Sequence, residues 1–366
     1  MKKFFFTIFI NIVILFCLLF GIEFMGQGVF FLKTGKLLFN SEKTNEILAH
    51  RQLYQRHPFL GSSLKKNVCV LDKDKKISTT ELGTRWTGAP VDGSNLKRII
   101  LIGGSSTFGS LVTDIDTWAA QLQQELGSGY AVINYGVPGY SSTESLIQLL
   151  LLIPEQHPDV VLFYGGWNDI ANYHTPNLGS DYFVQGIKQV ESNLNISFND
   201  KQTSFSDKYK NSLAIFKLTR IISDYFLKRY EKIYRGQDTP DPFVDKIYLR
   251  NLHNMKLLVN SMDSHPIMIF IPQVLNYSDF NGKHHSRFWS NYVNDDAIEK
   301  LMNKFNLLMN EVCEKIDKNC LVINEITKFS WSPDDFVDDG HFNRQGGKKF
   351  VSIISNKIKN IYKKYE

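Results

Sequence analysis

Cysteine is scarce in this chain, four in 366 residues, and the four do not group. No Cys or His spacing suggests a zinc site, and a core of this size needs no framework of disulfides. Cys17 and Cys69 stand alone, while Cys313 and Cys320 are seven apart between a helical run and a strand-like one. In an oxidising compartment that last pair would be free to bond, and two buried thiols fit the pattern equally well. His284 and His285 lie in a polar stretch and read as solvent-facing rather than ligating. A phosphate-cradling loop is missing too: Gly103, Gly104 and Gly109 do not make a G-x-G-x-x-G fingerprint, which argues against dinucleotide binding. Internal repeats and nucleic-acid motifs are absent, so neither a cofactor nor a metal nor a nucleic-acid partner is expected. The net charge of +5 is modest. Lys348, Lys349, Lys357, Lys359, Lys363 and Lys364 read as the solvated face of a terminal helix, the simpler alternative to a patch for anionic lipid or polysaccharide.

What is present begins with an apolar run. Met1-Lys2-Lys3 precedes an uncharged stretch from Phe4 to Ile22, interrupted by polar side chains only at Thr7 and Asn11. At about 1.5 Å per residue it is long enough to cross a bilayer as a helix. Lysines before it and a large domain after it favour a cytoplasmic N-terminus, with the rest of the chain outside. The segment Glu23-Phe-Met-Gly-Gln offers no small-x-small cleavage site, and Cys17 lacks the small residues that precede a lipidated cysteine. A retained single-pass anchor is therefore expected. Residues 1–39 form this anchor and a membrane-proximal segment, in which Val29 to Leu38 could lie on the membrane surface. Residues 40–95, of mixed polarity, read as an irregular extension packed on the domain that fills 96–366.

In that domain short apolar runs alternate with helical patterns. Strands are expected near Arg98 to Gly103, Ala131 to Asn134, Val160 to Tyr164, Ile267 to Ile271 and Leu321 to Asn324. Helices are expected at Trp118 to Leu126, Ser142 to Leu152, Tyr248 to Ser261 and Asp296 to Lys315. Such alternation predicts an α/β fold, a doubly wound, five-stranded parallel sheet covered by helices on both faces. An insertion at about 172–246 interrupts the rhythm, with a polar stretch from Ser192 to Lys210 and helical patches from Leu213 to Tyr234. It reads equally as a lid over the sheet edge or as a structural subdomain. Tyr182, Phe183, Phe280, Phe288, Trp289 and Tyr292 could stack on sugar rings, but aromatics in such loops more often simply pack.

The first core strand runs into a tight turn, Lys97-Arg-Ile-Ile-Leu-Ile-Gly-Gly-Ser-Ser-Thr-Phe-Gly109. Ligands of open α/β sheets bind at the carboxyl ends of strands, so Ser105 is either a nucleophile or part of an ordinary helix cap. A serine needs a base, and the base needs a carboxylate to fix its tautomer. Asp338 and His341, three apart in Asp338-Asp339-Gly340-His341, would supply both if they are more than a cap of the terminal helix. Two further strands end in glycine turns, Ala131-Val-Ile-Asn-Tyr-Gly-Val-Pro-Gly139 and Asp159-Val-Val-Leu-Phe-Tyr-Gly-Gly-Trp-Asn-Asp169. Backbone N–H groups in such turns, or an asparagine amide, can face an oxyanion. Thr107 stands where a G-x-S-x-G elbow would carry its second glycine, which argues against an α/β-hydrolase.

Over about 97–357 the chain resembles the SGNH, or GDSL-type, hydrolase superfamily, in the manner of its membrane-anchored bacterial members. Gly103-Gly-Ser-Ser106 is similar to the first block, with Gly104 in place of the usual aspartate. Asn134 to Gly139 is similar to the second block, Gly166-Trp-Asn-Asp169 to the third, and Asp338-Asp-Gly-His341 to the fifth. The resemblance implies a three-layer, flavodoxin-like sheet, Ser105 as nucleophile, His341 as base and Asp338 as its partner. It further implies an oxyanion hole from the Ser105 and Gly139 N–H groups, Gly136 being the lesser choice, and the Asn168 side chain. The leading expectation is an anchored serine esterase that removes acyl groups, such as O-acetyl, from an envelope or extracellular glycan. Two alternatives stand beside it: an O-acyltransferase acting on a surface polysaccharide, and a non-catalytic glycan-binding assembly protein on a hydrolase scaffold.

Overall fold

The computed structural model describes residues 2–34, 52–72, 74–90, 95–194, 236–276, 290, 292–313 and 319–365. At its start α1, Lys2–Thr34, is a single helix of 33 residues whose apolar span, Phe4–Leu32, is long enough to cross a membrane.

The main domain is built on five parallel strands, β5 (Lys97–Gly103), β6 (Tyr130–Asn134), β7 (Val160–Tyr164), β8 (Ile267–Phe270) and β9 (Cys320–Val322). They lie in the order β6-β5-β7-β8-β9, so the first two strands in sequence are exchanged in space and the rest follow in turn. This is the doubly wound arrangement, whose crevice opens at the strand carboxyl ends where the order reverses. Every residue of β7 is buried, as expected for a parallel strand covered on both sides.

The period-two alternation of the strands divides them between two cores. Ile100, Ile102, Val161, Phe163, Met268 and Phe270 face α4 (Ser142–Leu151), α7 (Pro242–Asn260) and α8 (Ile298–Cys313). Ile99, Leu101, Leu162, Tyr164 and Ile269 face α3 (Trp118–Leu126) and α10 (Arg344–Tyr365). The helices start where side chains satisfy their first N–H groups. Thr117 accepts from Ala120 N at α3, Ser141 and Glu144 form a capping box at α4, and Asp241 accepts from Phe243 N ahead of Pro242 at α7. The remaining helices are short or lie beside the site: α2 (Ser105–Phe108), α5 (Trp167–Ile170), α6 (Phe183–Leu194) and α9 (Glu325–Lys328).

The extension is more regular than its sequence suggests. It folds as two antiparallel hairpins, β1 (Tyr54–His57) with β2 (Gly61–Leu64) and β3 (Cys69–Asp72) with β4 (Lys75–Ser78). Tyr54, Leu60, Leu64, Val70 and Ile77 pack with Phe108, Val137 and Tyr140 of the sheet domain. Arg85 N donates to Asn134 O at 2.9 Å and Thr87 Oγ1 to Val132 O at 2.7 Å, which occupies polar groups along the edge strand β6. Arg85 is fully buried and ion-paired with the buried Asp114.

A disulfide joins Cys313, at the end of α8, to Cys320, the first residue of β9. Tyr182 is buried and packs in the core rather than lining a surface. The helical patch at 213–234, most of the polar stretch at 192–210, the pair His284 and His285, and Phe280, Phe288 and Trp289 lie outside the described residues.

Candidate active site

The end of β5 is shaped to present Ser105. Gly103 has φ +147°, and a Cβ there would lie 2.3 Å from Tyr164 O and 2.5 Å from Thr107 Oγ1. Only glycine fits such a turn. Ser105 then opens the one-turn helix α2, which Gly109 ends in the left-handed conformation. Its neighbours are tied down on every side. Thr107 Oγ1 donates to Tyr164 O at 2.7 Å, Asn134 Nδ2 to Thr107 O at 2.8 Å, and Trp118 Nε1 to Ser106 O at 2.9 Å. The buried Ser106 hydroxyl is committed to Gly340 O, to which it donates at 3.2 Å.

The far end of the chain returns to this turn. His341 Nε2 lies 2.8 Å from Ser105 Oγ, and His341 Nδ1 lies 2.9 and 2.8 Å from the two carboxylate oxygens of Asp338. Asp338 Oδ1 also accepts the backbone N–H groups of Gly340 and His341, each at 2.9 Å, which folds the four-residue segment into a closed turn. Burial alone would raise the Asp338 pKa. The hydrogen bond and charge of the His341 ring, with those two N–H groups, outweigh it and bring the carboxyl down to about 2. Asp335 is engaged elsewhere, accepting from Ser332 N and paired with Lys349 at 2.7 Å.

A second set of groups gathers beside Ser105. The N–H groups of Ser105 and Gly139 donate to no acceptor among the described residues, whereas Gly136 N donates to Asn134 Oδ1 at 2.9 Å. Asn168, in α5 after β7, turns its side chain toward the same place: Nδ2 donates to Tyr140 O at 2.8 Å, and would lie 2.8 Å from a Cβ on Gly104. An amide carries two hydrogens, so one stays available. The Asn168 amide and Tyr140 O, 2.8 and 2.9 Å from a Cβ built at Gly104, would crowd any side chain there.

Sequence reading missed Asp169. Its carboxyl is fully buried and receives both the N–H and the hydroxyl of Ser142, while Asn251 Nδ2 donates to Ser142 Oγ at 2.8 Å. The signal was present as an aspartate directly after the site asparagine, but its partner sits 27 residues away. Among the described residues no cluster of three His, Cys, Asp or Glu side chains could hold a metal ion.

A hydroxyl, an imidazole and a carboxylate in line, at the carboxyl edge of a doubly wound sheet, make this a serine hydrolase fold of the SGNH kind. The family model of the GDSL-like lipase/acylhydrolases matches residues 101–349, and the chain belongs to that family. Solved structures similar to it include a putative acylhydrolase from Bacteroides fragilis, 15% identical, covering 75% of this chain and 91% of that one with a TM-score of 0.41. The lipase/acylhydrolase from Enterococcus faecalis is 16% identical, with coverage of 72% and 96% and a TM-score of 0.39. A variant of an acetyl-xylooligosaccharide esterase from Geobacillus Stearmophilus is 14% identical, with coverage of 72% and 94% and a TM-score of 0.40. No curated protein matches the sequence.

Proposed function

We propose that the protein is a membrane-anchored serine esterase that removes acyl groups, O-acetyl foremost, from an envelope or extracellular glycan. One observation carries the chemistry: Ser105 Oγ, the His341 ring and the Asp338 carboxylate form a continuous chain with links of 2.8 Å. In this reading Ser105 Oγ attacks the ester carbonyl while His341 Nε2 takes its proton. Asp338 holds the ring by Nδ1 and steadies the imidazolium. Charge developing on the carbonyl oxygen is met by the N–H groups of Ser105 and Gly139 and by Asn168 Nδ2. His341 then returns the proton to the departing sugar oxygen. Water, activated by the same ring, attacks the acyl-enzyme and releases the carboxylic acid.

The glycan part rests on the N-terminal helix. A soluble ester can diffuse to any enzyme, but a polymer fixed in the envelope is best served by one held beside it. In this reading residues 1–39 are the anchor and membrane-proximal segment, 40–95 the extension, and 96–366 the hydrolase domain with its insertion at 172–246. The lysines ahead of the helix favour a catalytic part outside the cytoplasm. Reporter fusions after residue 60 check this, and reporter activity confined to the cytoplasm would sink it.

The decisive assay incubates the full chain in detergent with short and long aryl esters and with O-acetylated polysaccharides, and measures the acid released. Acetate release from the polymer, abolished by Ser105→Ala, is the expected outcome. Acetyl transfer to an acceptor sugar without free acetate would replace the esterase by a transferase. No turnover and no acylation would leave only a binding scaffold.

A further inference from the structure

The turn Pro138 to Tyr140, which carries the Gly139 N–H, is gripped by side chains from two distant parts of the chain. Asn193 Nδ2, on α6, donates to Pro138 O at 3.0 Å and to Ser62 Oγ at 3.1 Å. Gln189 Nε2, one turn earlier on α6, donates to the same Ser62 Oγ at 2.6 Å. The Tyr140 hydroxyl donates to Ser62 O at 2.6 Å. Gly139 itself has φ +86°, and the space its missing side chain leaves is filled by Gln189, whose Cγ would lie 2.8 Å from a Cβ there. Ser62, Gln189 and Asn193 are 0%, 3% and 4% exposed. A hairpin and a helix thus meet at this turn: Asn193 holds the carbonyl before the glycine, Gln189 packs on the glycine, and the Ser62 carbonyl takes the hydroxyl of the tyrosine after it.

Burying polar groups is costly unless they are hydrogen-bonded, so the bonds made by Ser62 Oγ, Gln189 Nε2 and Asn193 Nδ2 fix local geometry here, while Gln189 Oε1 is buried without a partner among the described residues. Here the geometry it fixes is that of a donor beside Ser105. We infer that Ser62, Gln189 and Asn193 are positioning residues that set the Gly139 N–H in the oxyanion hole, so that β2 and α6 govern turnover without touching substrate. This rests on the reading of Gly139 as an oxyanion donor. Ser62 belongs to the extension that follows the anchor, and α6 lies within the insertion. Both accessory segments therefore act on the same N–H, each through hydrogen bonds that meet at Ser62.

A displaced oxyanion donor weakens the transition state and leaves ground-state binding alone. Gln189→Ala removes both the Cγ contact and the bond to Ser62, and should lower kcat about 10-fold with KM within about twofold, a partial form of losing the donor outright. Affinity for an alkylboronic acid, which forms a tetrahedral adduct on Ser105, should fall by the same factor. Gln189→Met keeps a chain against Gly139 while losing the amide, and should lose less. Ser62→Ala removes the hydroxyl on which Gln189 and Asn193 meet, leaving Asn193 only its bond to Pro138 O, and should match Gln189→Ala. All variants are assayed as full chain in detergent, with rates divided by the fraction that labels with a serine-directed phosphonate, so that misfolded protein does not count.

Asn168→Ala separates the two levels of the argument. If it lowers kcat and boronate affinity while Gln189→Ala and Ser62→Ala leave both unchanged, the clamp is wrong and the oxyanion hole stands. Should Asn168→Ala raise only KM, the oxyanion reading fails and takes the clamp with it. Losses in the Gln189 and Ser62 variants confined to KM, or to the labelled fraction, would show a role in substrate contact or folding and overturn the inference.

Discussion

The Asp169 carboxyl closes on the first residue of α4, taking the backbone N–H of Ser142 on one oxygen at 3.0 Å and its hydroxyl on the other. Asp169 follows Asn168, and Ser142 follows the turn that contains Gly139, so this pair ties together two of the three strand-end turns that surround Ser105. It does so with a carboxyl removed from water. Burial pushes Asp169 up to about 7 from its ordinary 3.8, with Glu144 adding to the rise, although both bonds from Ser142 pull the other way.

A carboxyl whose pKa is higher in the folded state binds protons more readily there than in the unfolded chain. Its contribution to stability is therefore best below the unfolded value of 3.8 and is lost as pH rises toward about 7, where the buried group ionises. Asp169→Asn cannot ionise and escapes that loss. Thermal unfolding should show the variant gaining on the wild type between pH 5 and pH 8. A melting-temperature difference that does not change over this range would contradict the assignment.

Ser105→Ala should lower turnover of a short aryl ester by about 10³-fold or more, the scale for a member of a triad. Ser106→Ala should keep phosphonate labelling, because the Ser106 hydroxyl is committed to Gly340 O. Labelling lost in Ser106→Ala and retained in Ser105→Ala would move the nucleophile to the wrong serine.

Replacing Asp338 by Asn should reduce kcat by roughly 10⁴, since the ring would lose the acceptor that fixes its tautomer. Asp339→Asn should do far less, and the reverse ranking would reassign the partner. Because the Asp338 pKa is lowered to about 2, this carboxyl stays charged through ordinary assay pH. Its stabilising contribution is present above 3.8 and is lost only as pH falls through about 2.

Arg85 and Asp114 form an ion pair whose side chains are 0% and 5% exposed. Removing one partner leaves the other charge buried and alone, at a cost of about 3–5 kcal/mol. Arg85→Met and Asp114→Asn should each destabilise the fold on that scale in urea unfolding, and the double variant by less than the sum. Additive losses would mean that the pair does not interact as drawn.

Much of this architecture was legible in the sequence because the sheet is covered on both faces. Ile99 to Ile102 and Val160 to Tyr164 must be apolar without interruption, and glycines mark where each run ends. The extension was harder to read. Its strands span four residues each, and β1 (Tyr-Gln-Arg-His) and β2 (Gly-Ser-Ser-Leu) show no alternation long enough to register. The helix expected from Tyr248 begins at Pro242, and the cue was there: Asp241 as cap with proline in the first turn. Ser105, Asp338, His341 and Asn168 were singled out by local motif. Asp169, Ser62, Gln189 and Asn193 were not, because a supporting residue is defined by a partner far along the chain rather than by its neighbours.

That distance has a consequence for folding. Ser105 and His341 are 236 residues apart, and Ser106 and Gly340 are 234 apart. Contacts of such separation close very large loops and are met late and slowly. With Ser105 and His341 proposed as one site, neither half of the molecule would carry it alone, so activity should appear only when the first and last strands of the sheet have both found their places. Enzymatic rate is then a gauge of native population in itself: a partly folded chain contributes nothing to it, however much helix it has already formed.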